Sequence, residues 1–222
     1  MRNLSSLIGS LFYFYIMEGG EKMVEQLIND FEELKKYIFI ITRKDKKSII
    51  IKFKNENFYH LVGLHKIKNF DNYFPTNMKS KDKRYKYIKK NPQKFNNILK
   101  NQLQEKDLLK LRISTFSNVA NMLRSQDISL YNLKQKLKDS LYDGDYGLMK
   151  TYENDLCCLL GLKIDDENEK VIKCIPNSWM ASRRINKLVE FKRPIYIEST
   201  IALQIELYDE ESDEIIPSFS NI

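Results

Sequence analysis

Ile38-Phe39-Ile40-Ile41-Thr42 and Ser48-Ile49-Ile50-Ile51-Lys52-Phe53, separated by the polar Arg43-Lys44-Asp45-Lys46-Lys47, decide how this chain folds. Two runs rich in β-branched residues around a short polar segment predict a β-hairpin. In front of it Met23, Val24, Leu27, Ile28, Phe31, Leu34 and Ile38 recur at helical spacing, which predicts an amphipathic helix over about Glu21 to Tyr37. A helix feeding a hairpin points to an α+β protein.

The rest of the chain extends that reading. Pro92 can open a helix through Phe95, Ile98, Leu99 and Leu103, and Leu109, Ile113, Phe116, Ala120 and Leu123 mark another, with Arg112 beside its apolar stripe. Leu130 to Leu141 reads as a further short helix. After the turn signal Asp143-Gly144-Asp145, four segments read as strands: Leu148 to Tyr152, Leu156 to Leu162, Val171 to Ile175 and Ile195 to Ile205. Asp165 to Lys170 is polar enough to turn a second hairpin. Lys66 to Asn91, dense in lysine, reads as a long loop with one helical turn, and loops of that length are functional or disordered.

The 222 residues fit one domain, spanning 21–205, and neither an internal repeat nor a linker interrupts it. Residues 1–20 form an apolar N-terminal extension. Its uncharged run Leu7 to Met17 is too short to span a bilayer and no small-residue cleavage site follows, so neither export nor membrane insertion is expected. Residues 206–222 form an acidic tail, loose from Tyr208 on. Cys157, Cys158 and Cys174 have neither a disulfide framework nor a zinc spacing, so they read as reduced, packed thiols of a cytoplasmic protein.

Charge is unevenly spread. From Lys35 to Lys100 nineteen Lys or Arg face four acids, whereas Glu198 to Ile222 holds seven acids and no Lys or Arg. Interleaved with Phe58, Tyr59, Phe70, Tyr73, Phe74, Tyr85 and Tyr87, the basic block has the composition of a polyanion-binding surface with base-stacking platforms. Lysine-rich surfaces are also ordinary in a chain this rich in Lys, Asn and Ile, so the block alone does not decide between the two.

The chemistry concentrates in Phe58-Tyr59-His60-Leu61-Val62-Gly63-Leu64-His65-Lys66, which holds both histidines of the chain. Imidazole is the side chain that exchanges protons nearest neutrality. The ordinary alternative is a hydrogen-bonded structural histidine. Gly63 supplies a turn or a close backbone approach. Other site chemistries are missing: there is no Gly-rich phosphate loop, no Gly-x-Ser-x-Gly elbow and no His-Glu-x-x-His. Five residues on a helix would separate the histidines by roughly 140°, with no third ligand nearby, so no metal is expected. Asp165, Asp166, Glu167 and Glu169 read as a solvated hairpin tip.

The order of helix, hairpin, Phe-Tyr-His-Leu-Val-Gly-Leu-His-Lys, the helix carrying Leu111-Arg112-Ile113, and strands leading into Ile175-Pro176-Asn177-Ser178-Trp179 resembles the phage-associated branch of the barnase/EndoU/colicin/RelE-like nucleases over about Glu21 to Ile205. Trp179 stands where Phe is expected, and the spacing through Arg183 and Arg184 departs from the pattern. The resemblance implies a helical section on an antiparallel sheet whose face cleaves RNA without metal or cofactor. In that role His60 is base or acid, His65 the second proton-transfer group, Lys66 and Arg112 neutralise the scissile phosphate, and Ser178 donates to it. For Arg112 the ordinary alternative is a salt bridge to a carboxylate such as Asp107, and for Ser178 a turn or helix-cap hydroxyl. RNA is the implied partner. A rival in another class is an inactive phage or prophage inhibitor that grips a host defence ribonucleoprotein, and a third is a toxin restrained by its own Glu206 to Glu214 segment.

Overall fold

The computed structural model describes residues 22–103, 107–125, 127–133, 144–182 and 195–204, with two short strands at 208–209 and 214–215. Helix α1 (Met23–Lys35) buries Val24, Leu27, Ile28, Phe31 and Leu34, the stripe that its spacing predicts. It hands over directly to β1 (Tyr37–Arg43), which pairs antiparallel with β2 (Ser48–Lys52) from Ile38↔Lys52 to Thr42↔Ser48. The predicted hairpin therefore holds, and Ile38 belongs to its strand rather than to the helix.

Four helices and a turn region follow: α2 (Asn55–Leu61), two 3₁₀ turns at Leu64–Lys66 and Phe70–Tyr73, α3 (Lys81–Lys90), α4 (Pro92–Leu103) and α5 (Asp107–Ser114). The long loop expected between Lys66 and Asn91 is thus largely structured. Its helix escapes detection because Tyr85 and Ile88, on a lysine-rich background, are the only two residues that α3 buries.

Leu109 to Leu123, expected as one helix, is two: α5 and α6 (Asn118–Arg124). The break has a local cause. The hydroxyls of Ser114 and Thr115 both donate to the Leu111 carbonyl, at 3.0 and 2.7 Å, and tight turns follow from Asn118 N–H to Thr115 and from Val119 N–H to Phe116. Leu130–Leu141, expected as a helix, begins instead as strand β3 (Ser129–Asn132), because pairing with β4 (Tyr146–Thr151) overrides the local pattern. Residues beyond 133 in that segment lie outside the described residues.

Strands β5 (Cys157–Glu167) and β6 (Val171–Ser182) form the longest hairpin, and β7 (Ile197–Gln204) returns to the edge of β1. The sheet runs β3-β4-β5-β6-β2-β1-β7. It is antiparallel with one exception, since β2 and β6 run parallel from Ser48↔Val171 to Ile51↔Cys174. The expected antiparallel sheet holds but for that one pair. One large core joins the helices to one face of this sheet, and smaller apolar clusters, around Leu159 with Met149 and around Ile38 with Ile50, lie on the other.

Strand β6 runs seven residues past the predicted end at Ile175. Pro176 argues against a strand because it lacks a donor, and the structure accommodates it with a bulge: Leu162 faces Pro176 and Gly161 faces Ser178, leaving Asn177 between them. Trp179, just beyond, is fully buried and donates from Nε1 to Thr115 Oγ1 at 3.2 Å. All three cysteines are buried thiols outside any disulfide, and burial pushes the Cys158 thiol up to about 12. Among the described residues no helix is long and apolar enough to cross a membrane. The N-terminal extension lies outside the described residues. So does most of the acidic tail, in which Tyr208–Asp209 pairs with Glu214–Ile215 rather than running loose.

Candidate active site

Because β2 stops at Lys52 while β6 continues, α2 takes up a place against β6, and α5 packs on the same strand. The Lys54 N–H donates to Asn57 Oδ1 at 2.6 Å at the start of α2. Phe58, Tyr59 and Leu61 are buried in the core, and His60 is left half-buried. Gly63 then adopts φ +83°, a left-handed conformation open to glycine at little cost, and the chain turns through Leu64–Lys66.

That turn brings the two imidazoles together, with ring centroids 4.8 Å apart and planes inclined by 46°. The separation of roughly 140° inferred from a continuous helix therefore does not apply, because α2 ends at Leu61. Among the described residues no group of three or more His, Cys, Asp or Glu is placed to hold a metal ion.

Arg112 reaches this turn from α5. Its Nη1 donates to the His60 carbonyl at 3.5 Å, and its side chain lies over Gly63, where a Cβ would come within 2.8 Å of Arg112 Cδ, Arg112 Nη1 and Leu109 Cδ1. The salt bridge to Asp107 does not form, since that exposed carboxylate pairs with Lys110 at 3.4 Å. Burial without a carboxylate partner among the described residues pushes the guanidinium down to about 10.

Sequence reasoning missed Lys81, at the start of α3, whose Nζ lies 2.7 Å from His60 Nε2. No local pattern marks it among so many lysines. The His60 pKa is lowered first by burial, then by Lys81, Arg112, Lys66 and Lys163. His65 is pushed down to about 4 by burial, with His60, Lys66 and Arg112 adding to it, although a hydrogen bond to the Tyr59 backbone pulls the other way. The charged side chains that lower these rings, Lys81, Arg112, Lys66 and Lys163, are cations, and with both pKa values below the ordinary histidine value the rings are mainly neutral at pH 7.

Four of the five residues singled out in the sequence thus converge: His60, His65, Lys66 and Arg112. Ser178 stands on the strand against which α2 and α5 pack, beside the bulge, and its Oγ is buried without a hydrogen-bond partner. It is neither a turn nor a helix-cap hydroxyl, and it makes no hydrogen bond to the other four.

The stacking platforms are corrected outright. Phe58, Tyr59, Phe70, Phe74 and Tyr85 are buried, and Tyr73 and Tyr87 pack against the core at partial burial. They fill the space between helices in tilted ring contacts such as Phe58 with Tyr85 at 4.9 Å and Phe70 with Phe95 at 5.8 Å. Tyr59 also anchors the site from below. Its hydroxyl donates to Asp71 Oδ1 at 2.7 Å, Arg84 Nη1 binds the same oxygen at 2.7 Å, and Arg84 lies over the Tyr59 and Phe74 rings. This network ties α3, and with it Lys81, to the histidine turn.

A family model described as phage-Barnase-EndoU-ColicinE5/D-RelE like nuclease 4 matches residues 24–214. Searches of curated proteins and of solved structures give no match. The matched span contains the histidine turn, Arg112 and the whole of β6, and it covers most of the chain. The chain therefore belongs to the phage-Barnase-EndoU-ColicinE5/D-RelE like nuclease family.

Proposed function

We propose that this protein is a metal-independent endoribonuclease that cleaves RNA by attack of the 2′-hydroxyl on the adjacent phosphate. The observation that carries the reading is a pair of imidazoles 4.8 Å apart, both with pKa lowered by burial, with Lys81 on His60 Nε2 and Arg112 over the turn that joins them. A neutral imidazole can accept a proton at pH 7, and nearby cationic side chains suit an anion that gains charge during reaction.

In this mechanism the 2′-O–H proton passes to His60 as the 2′-oxygen bonds to phosphorus. The phosphorus–5′-oxygen bond breaks, and the leaving oxygen takes a proton from His65. In the free protein His65 is neutral; the negative charge of a bound phosphodiester raises its pKa, and the ring takes up a proton from water before it donates one to the leaving oxygen. Arg112 and Lys66 neutralise the phosphate oxygens. The unpartnered Ser178 hydroxyl donates to the same group. With the aromatic rings committed to the core, recognition runs through phosphate and backbone shape rather than base stacking.

Incubation with structured and unstructured RNA in EDTA, beside the His60→Ala variant, tests the reading. Cleavage that leaves a 2′,3′-cyclic phosphate is expected, with a loss of about 10² to 10⁴ in rate for the variant. Full activity of His60→Ala removes the assignment, and strict Mg²⁺ dependence removes the mechanism. Salt-sensitive RNA binding without turnover would instead describe a binding protein.

A further inference from the structure

We propose that Lys81 is a positioning residue that caps His60 in the free protein and is drawn off it by the substrate phosphate, so that the base is uncovered when an anion is bound. The inference rests on the nuclease reading of this pocket and adds a control step to it.

The contact has one chemical sense. A lysine ammonium has three donors and no acceptor, so at 2.7 Å it donates to the Nε2 lone pair, and the imidazole carries its own proton on Nδ1. In that arrangement the lone pair needed for the 2′-hydroxyl proton is occupied. Lys81 is held at this place by its contact with His60. It sits in the first turn of α3, where a positive charge opposes the helix dipole, and the side chain is exposed. The adjacent acid cannot hold it, because Asp82 is engaged by Lys86 at 2.8 Å and by Asn55 at 2.8 Å. Among the described residues no carboxylate pairs with Lys81.

The charged and titratable groups that bear on His60 come from every side: Lys81 from α3, Arg112 from α5, Lys66 and His65 from the 3₁₀ turn, and Lys163 from β5. An ammonium in this company is held by a neutral acceptor. A phosphate oxygen offers it a charged one, and charge-assisted hydrogen bonds are about twice as strong as neutral ones. When the anion enters, the exposed lysine turns to it and Nε2 is released. Lys81 keeps its three protons throughout, and the substrate proton then moves to Nε2. Binding and activation of the base are thereby one event, and the free enzyme presents a blunted base to stray nucleophiles.

The test is histidine NMR on the full chain, where two imidazoles are easily told apart with His60→Ala. Wild type is expected to show His60 as the Nδ1–H tautomer with a depressed titration midpoint. Inorganic phosphate is expected to raise that midpoint by about one pH unit, the scale of a change in one neighbouring charge. In Lys81→Met the midpoint without phosphate rises by a similar amount and the preference for the Nδ1–H tautomer weakens, so that phosphate adds only the direct effect of its own charge, while Lys81→Arg retains the wild-type pattern. A Lys81→Met protein whose His60 midpoint and tautomer equal those of wild type, with or without phosphate, overturns the proposal. The outcome is independent of turnover: capping stands if the midpoints move and no RNA is cut, and it falls if RNA is cut and the midpoints do not move.

Discussion

Gly63 is where backbone geometry and the pocket meet, so Gly63→Ala is the most informative single change. At φ +83° an alanine pays for the left-handed backbone, about 1–2 kcal/mol. Its methyl group would also lie 2.8 Å from Arg112 Cδ, Arg112 Nη1 and Leu109 Cδ1, closer than carbon atoms approach, so Leu109 or Arg112 must move. Leu109 is buried, and crowding of a packed site costs about 1–3 kcal/mol. The two effects together predict a loss of about 3 kcal/mol, a large share of the stability of a domain. Urea unfolding reports it through Trp179, the single tryptophan, which is fully buried. Asn at 63 tolerates the left-handed backbone but brings a Cβ to the same place, so Gly63→Asn should remain destabilised by the crowding part. In Gly63→Ala/Leu109→Ala the penalties should combine less than additively by about 1 kcal/mol, because the truncated leucine leaves room. A Gly63→Ala protein within about 0.5 kcal/mol of wild type would refute the argument.

Three further outcomes follow from the same geometry. Arg112→Met should unfold at equal or higher urea concentration, by about 1 kcal/mol, because a half-buried charge without a carboxylate partner is replaced by an apolar chain; a clear loss of stability would contradict the pocket's electrostatics. His65 has its pKa at about 4 in the fold against an ordinary 6.5, so as pH falls from 6.5 toward 4 the unfolded chain takes up a proton that the folded chain does not. Stability should therefore drop across that window, by about 2 kcal/mol after discounting for partial solvent screening, and the drop should be shallower in His65→Gln when melting is followed against pH. Thr115→Val leaves the buried Trp179 N–H without its acceptor and should cost about 1–3 kcal/mol in thermal or urea unfolding, whereas Thr115→Ser should cost less.

What the sequence disclosed, and what it hid, divides along the range of the interactions. Helix α1 and the β1–β2 hairpin were legible because their apolar residues repeat at the period of the structure they form. Helix α3 was not, since two buried residues on a lysine background give no period, and β3 was misread because its neighbour β4 sets its conformation. In the pocket, His60, His65 and Lys66 were legible together because seven residues contain them all. Arg112 was plausible by resemblance, but its seat over Gly63 depends on α5 packing against β6. Lys81 and Lys163 were invisible, as lysines whose roles arise from tertiary placement. The aromatic residues misled because the ring types that stack on bases are also those that fill a core.

The parallel pairing of β2 with β6 has a consequence for how the protein is made. It joins Ile51 to Cys174, so that both histidines, the lysine beside them and Arg112 all lie within the intervening stretch of chain. A nascent polypeptide emerging from the ribosome holds every one of those groups long before it holds the strand that seats them. Premature products ending between Arg112 and Val171 carry these residues without the strand on which α2 and α5 pack, and the candidate site is complete only with the last third of translation.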